Sequence, residues 1–236
     1  MKGFQFCLLL LIAGYCLTGC KTTAILSANF ESNTVGTLPP KNLPGEPAGD
    51  EMTFGSELEP RIRIVASGGN KALSFTQVSA SGLTAHNQWL GFKGISTNFV
   101  EPMWFYFTAK HSGLGGKITI DITDGAAAII GRFFISQSGD VSIIRNVATV
   151  EEQHAGNIPP DESHTFIVAL NMSKSSYNLI IYKSSGNITV EDIPVANSAL
   201  TYANPANPTI SFRYDDGSSS DRKYVMEAVT ISRKQP

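Results

Sequence analysis

Cysteine is nearly missing from this chain, and where it occurs it clusters: Cys7, Cys16 and Cys20 are the 3 cysteines in 236 residues. Nothing beyond Cys20 can form a disulfide, supply a thiol nucleophile or build a thiolate metal site. Whatever folds downstream is held by its core alone, and roughly 200 residues are ample for one. Basic runs are missing too. Lysine and arginine total 18 against 20 acidic residues, a formal net charge of −2 with no basic patch, which argues against a nucleic-acid partner. His86, His111, His154 and His164 are scattered, with no pair at ligand spacing, which argues against zinc. The sequence contains no Gly-x-Ser-x-Gly elbow, no His-Glu-x-x-His and no Walker loop. Helical periodicity is all but absent beyond the N-terminus, and no internal repeat or composition break marks a second domain.

What is present begins with an address. Lys2 supplies a positive start and "FCLLLLIAG" an apolar run too short to cross a bilayer as a mature helix, so the pair reads as a cleaved export signal. "LTGC" (Leu17 to Cys20) resembles the bacterial lipobox, in which small residues precede a cysteine. On that resemblance cleavage precedes Cys20, which becomes the acylated, palmitate-bearing first residue. Several acyl chains at about 0.8 kcal/mol per buried methylene make a stable anchor in the lipid bilayer. The expected layout is a signal peptide over 1–19, a lipidated tether over 20–24 and one domain over 25–236. Lys21 stands where an Asp would resemble an inner-membrane retention signal. The expected location is therefore the bacterial envelope, at the outer membrane of a host that has two.

The rest alternates. "KITIDIT" puts Ile118, Ile120 and Ile122 on one face and Lys117, Thr119, Asp121 and Thr123 on the other, the pattern of a half-buried antiparallel strand. Asp124-Gly125 breaks it and "AAAIIGRFFIS" resumes, a hairpin signal. "RIRIVAS", "KALSFTQV", "MWFYFTAK", "VSIIR", "HTFIVALN", "YNLIIYK", "TISFRY" and "YVMEAVTISR" behave alike. About ten to twelve short strands predict an all-β antiparallel two-sheet sandwich or jelly roll. Residues 33–58, 147–163 and 192–208 read as long loops. One oddity stands in the last segment. Strict alternation places Glu227 between Val225 and Val229 on an apolar face, where an unpaired carboxylate is costly.

"ANFESNTVGTLPP" (28–40) and "YVMEAVTISR" (224–233) resemble the first and last strands of concanavalin A-like lectin and glucanase sandwiches, a group that includes LamG-like and carbohydrate-binding modules. "ESHTFIVALNMSKSSYNLIIYKSSGNITV" is similar to that family's paired strands, and the resemblance covers most of 25–233. It implies a sugar ligand. It also implies a structural calcium between the opening and closing acids, here Glu31 and Glu227, with Asn33 or carbonyls nearby. Ala228 stands where the family usually shows a second Asp, and the alternative is that Glu227 pairs with a cation such as Arg61 or Arg63.

The family's glucanases carry a Glu-x-Asp-x-x-Glu strand, and the local match is Thr119, Asp121 and Asp124. Thr119 replaces the nucleophile, so Asp121 reads as solvated and Asp124 as the turn residue. Sugar binding needs flat aromatic faces with amides and carboxylates alongside. Trp89 follows His86, Asn87 and Gln88, and Trp104 and Tyr106 share one side of "MWFYF" if Phe105 and Phe107 face inward. Trp89, Trp104 and Tyr106 are thus the candidate ligand residues; Tyr214 with Asp215 and Asp216 either lines a loop site or caps a hairpin. The expected function is non-catalytic polysaccharide binding by a lipoprotein. The alternatives are a lipoprotein that docks a protein partner, and a polysaccharide-degrading enzyme of the same fold.

Overall fold

A computed structural model describes residues 24–41, 51–77, 89–94, 102–112, 117–146, 148–196, 207–214 and 222–235. The export signal, Cys20, His86, Asp215 and Asp216 lie outside the described residues. The chain forms two antiparallel sheets facing each other across one apolar core.

The eight-stranded sheet is built on β6 (Met103–Ser112). On one side of it lie β11 (Ser163–Asn171), β12 (Ser176–Tyr182) and β13 (Ile188–Pro194), in that order outward. On the other lies β15 (Arg222–Ser232), followed by β4 (Asn70–Gln77) and β3 (Ile62–Ser67), while β1 (Ala24–Ala28) also pairs with β15. The seven-stranded sheet runs β10 (Glu151–Asn157), β9 (Asp140–Asn146), β8 (Ile129–Ile135), β7 (Ile118–Thr123), β14 (Thr209–Tyr214), β5 (Trp89–Lys93), β2 (Glu51–Phe54). The all-β sandwich expected from alternation is the architecture found.

Period-two alternation explains the core. β6 buries Met103, Phe105, Phe107 and Ala109 and leaves Trp104, Tyr106 and Thr108 half-exposed. From the other sheet Ile118, Ile120 and Ile122 meet them, with Phe92 and Phe212. Aromatic rings join the layers: Phe107 stacks on Phe166 at 4.5 Å and meets Phe212 edge-on at 5.1 Å, and Phe212 meets Phe92 at 6.2 Å. A second tie is Tyr177 of β12. Its ring lies where a Cβ on Gly131 of β8 would come within 3.2 Å, and its hydroxyl donates to the Arg132 carbonyl at 3.5 Å. Burial pushes the Tyr177 phenol up.

Three details depart from the sequence reading. The first strand ends at Ala28, and Phe30 takes a φ of 61°, so 28–40 opens as a turn, closed by the Asn33 N–H on the Phe30 carbonyl at 3.0 Å. The expected loops 33–58, 147–163 and 192–208 contain β2, a 3-10 turn (Ser56–Arg61), β10 and the end of β13. Last, β15 carries a bulge: Met226 pairs with Ala109 and Ala228 with Thr108, leaving Glu227 over. Tyr224 and Met226 point into the core before the bulge, and Val229 and Ile231 after it. The extra residue resets the phase, so Glu227 is half-exposed rather than set in an apolar face.

Candidate functional site

The outer face of the seven-stranded sheet is ordered in rows, because register aligns outward residues across strands. One row runs Thr53, Gly91, Ser211, Asp121, Arg132. On one side of it lies the row Trp89, Arg213, Thr119, Phe134. On the other lies the row Lys93, Thr209, Thr123, Ile129. The middle row is small over three strands, and a pocket of about 410 Å³ opens above it. Trp89, Arg213, Lys93, Thr209 and Asp121 line it, and the turn from Asp124 to Ala127 closes one end.

Gly91 lets Trp89 lie down. A Cβ on Gly91 would meet Thr53 Oγ1 at 3.0 Å and the indole Cζ3 at 3.4 Å, so the ring packs over the glycine along the pocket floor. Hydroxyls of Thr53, Ser211, Thr209 and Thr123 share the lining with that flat apolar surface. This is the combination a sugar needs: a ring face to stack on and donors and acceptors at its edge.

The carboxylates here are engaged. Asp121 receives the Arg132 guanidinium on both oxygens, Nε to Oδ1 at 2.5 Å and one terminal nitrogen to Oδ2 at 2.8 Å. Asp124 Oδ1 accepts the N–H groups of Ala126 and Ala128 at 2.9 and 2.8 Å, which makes it the turn residue that Asp-Gly suggested. Thr119, opposite Arg213 and Phe134, is 3% exposed.

Trp104 and Tyr106 are not part of this pocket. They stand on the outer face of the other sheet, where Trp104 borders a hollow of about 190 Å³ with Asn171, Asn178 and Asp192. The three aromatic candidates thus divide between opposite faces of the sandwich. Tyr214 ends β14. Sequence reasoning missed Lys93, Thr209, Ser211 and Arg213. The signal was there in part, since Thr209, Ser211 and Arg213 alternate with buried Ile210 and Phe212.

At the pair expected to hold calcium, the donor set does not fit a metal. Lys71 Nζ donates to the carbonyls of Glu31 at 2.7 Å and Asn33 at 2.6 Å, and Glu31 Oε1 accepts the Lys71 N–H at 3.0 Å. Glu227 Oε1 accepts instead from the Ser67 hydroxyl at 3.5 Å. An ammonium already stands among the oxygens a cation would collect. Among the described residues no group of three or more His, Cys, Asp or Glu side chains is placed to hold a metal. Of the two arginines suggested as partners of Glu227, Arg61 and Arg63, the second donates to the carbonyls of Glu59 and Ile62.

No family model matches the chain, and no curated protein matches it. Solved structures do, at the level of fold. A pseudo β-1,3-glucanase and immunostimulatory antigen of Mycobacterium tuberculosis superposes with a TM-score of 0.55 at 12% identity, over 90% of this chain and 100% of that one. A botulinum neurotoxin type C structure, whose cell entry depends on two ganglioside molecules, gives 0.53 at 13% identity over 90% of this chain and 48% of that one. A sialidase gives 0.52 at 10% identity over 78% of this chain but only 17% of its own. The chain therefore shares a two-sheet sandwich fold with the glucanase-like protein, with the neurotoxin and with part of the sialidase.

Proposed function

We propose that this protein is a non-catalytic glycan-binding module, held at the bacterial envelope by lipid on Cys20. The observation that carries the reading is the Trp89 indole laid over Gly91 beside a row of small hydroxyl-bearing residues. The pocket draws its lining from five adjacent strands, β2, β5, β14, β7 and β8, a width that suits an extended sugar chain. The fold neighbours named for glucan, sialic acid and ganglioside are consistent with such a ligand.

Hydrolysis is the weaker reading for a physical reason. Retaining glycosidases need two free carboxyls about 5–5.5 Å apart. Here Thr119 has no carboxyl, Asp121 is clamped by Arg132 and Asp124 holds its own turn. Docking of a protein partner is favoured by one feature, the half-exposed Tyr106 and Ile180 on the outer face of the eight-stranded sheet, on either side of buried Ile167 and flanked by Tyr182 at 41% exposure.

Retention of the purified protein on a panel of immobilised polysaccharides, with a reducing-end assay run on the same samples, tests the proposal. Selective retention without chain cleavage, lost in Trp89→Ala, is the expected result. Steady release of reducing ends returns the enzyme reading, and no retention on any glycan returns the docking one.

A further inference from the structure

We propose that the outer face of the eight-stranded sheet rests on the lipid bilayer, so that the glycan pocket, on the opposite face of the sandwich, is turned away from the membrane. The inference rests on the reading of Cys20 as the lipid-bearing residue and adds the surface that the anchor brings to the bilayer.

The tether is short. Three residues separate Cys20 from Ala24, where β1 begins. At about 3.3–3.6 Å per residue, the four steps reach roughly 14 Å at most. Register fixes the point they reach. Ala24 pairs with Ser232 and Ser232 with Trp104, which sets Trp104 two strand spacings, roughly 10 Å, from the start of β1. The strand that follows the anchor thus belongs to the same sheet as Trp104 and Tyr106.

The face itself lacks charge. One outward row runs Ser27, Thr230, Tyr106, Ile167, Ile180, Thr189. Beside it, one row passes from Ala24 through Trp104 to Asn178, and another from Ala228 through Thr165 to Tyr182. None of these positions holds a charged side chain. The rows cross up to six strands, roughly 24 Å. The outward rows of the other sheet carry Lys93, Asp121, Arg132 and Arg213 instead. Charge returns only at the margins, with Lys174 and Asp192 beside Trp104 and Lys110 and Glu227 next to Thr108. Trp104, Tyr106 and Ile180 are half-exposed and Tyr182 is exposed. Indole and phenol rings set among serine and threonine hydroxyls suit the headgroup level, where an apolar body and a polar tip are both satisfied. Weak affinity is enough here, because lipid on Cys20 makes contact between face and bilayer an intramolecular event.

The chain's 2 tryptophans make the test direct, since one stands on each face. Trp89→Phe leaves Trp104 as the reporter, and Trp104→Phe leaves Trp89. The full lipidated chain is placed on vesicles of phosphatidylethanolamine and phosphatidylglycerol in equal parts, with and without bromine on the upper acyl carbons. Trp104 emission is expected to shift to the blue on vesicles and to be quenched by the brominated lipid, and Trp89 emission to do neither. Ile180→Glu, still held through Cys20, is expected to lose the quenching. Vesicle flotation of the same samples separates the two ways of failing. Flotation without Trp104 quenching, or with Trp89 quenched in its place, overturns the orientation and leaves the anchor standing. If Trp104 is then also shielded from iodide, the face belongs to a protein partner. No flotation overturns the anchor and the orientation with it.

Discussion

The ammonium of Lys71 lies 2.7 Å from the carbonyl oxygen of Glu31 and 2.6 Å from that of Asn33, so the opening turn is tied to the β3–β4 hairpin by an internal cation. The same hairpin reaches Glu227 through Ser67. A lysine can do here what a metal does elsewhere, gathering carbonyls from a turn that has left the sheet. Chelation with EDTA is therefore expected to leave the melting temperature unchanged, and added calcium not to raise it. Lys71→Met should lower stability by about 1–2 kcal/mol, since two charge-assisted bonds near the surface are lost. A melting point that falls on chelation and recovers with calcium sinks this account and restores the metal at Glu31 and Glu227.

Gly91 separates binding from folding. Its φ is not in the left-handed region, so a side chain there is limited by space rather than by backbone strain. Gly91→Val drives a branched side chain into the Thr53 hydroxyl and the Trp89 ring, filling the floor of the pocket. Glycan affinity should fall more than about tenfold while the strand keeps its register, at a stability cost of about 1–3 kcal/mol. Unchanged affinity would place the ligand off this face.

Trp104 supplies the control. It is half-exposed on β6, but on the opposite sheet from Trp89. Trp104→Ala is expected to leave glycan retention intact and Trp89→Ala to abolish it. The reverse pattern moves the binding face to the hollow beside Asn171 and Asn178.

The sequence made central strands plain and edges obscure. "MWFYFTAK" and "KITIDIT" alternate cleanly because each has one face on the core. β10, "EEQHAGN", lies at a sheet edge with mostly exposed side chains, and nothing apolar marks it. Glu227 misled for a different reason. A bulge inserts one residue and inverts every later side chain, and strict alternation cannot detect it. The pocket was half legible. Trp89 invited attention as an aromatic, but its neighbour Arg213 comes from a strand more than a hundred residues later, and only sheet register brings them together. Lys71 gave no signal at all, because its partners are backbone carbonyls, which every residue has.

The lipid anchor is tested on living cells. We expect the protein to fractionate with membranes and to incorporate labelled palmitate, with both lost in Cys20→Ser. Incorporation that survives the substitution would remove Cys20 from the argument. A soluble wild-type protein would remove the anchor altogether.

One buried histidine, His164, sits where acid should be felt. His111 of β6 and His164 of β11 point into the same end of the core, each 1% exposed, with Tyr224 of β15 paired opposite His111. Burial holds the His164 imidazole below its ordinary value of 6.5; Glu162 opposes that shift and Lys183 adds to it. A depressed folded value means that the unfolded chain binds more protons than the native one as pH drops through about 6.5. Stability is then full above that pH and is lost as pH falls below it. Urea melts between pH 8 and pH 5 should show this slope, and His164→Phe should flatten it even if the variant is less stable throughout. If His164→Phe keeps the wild-type slope, the acid response comes from another group, and His164 is only a core residue with an unusual side chain.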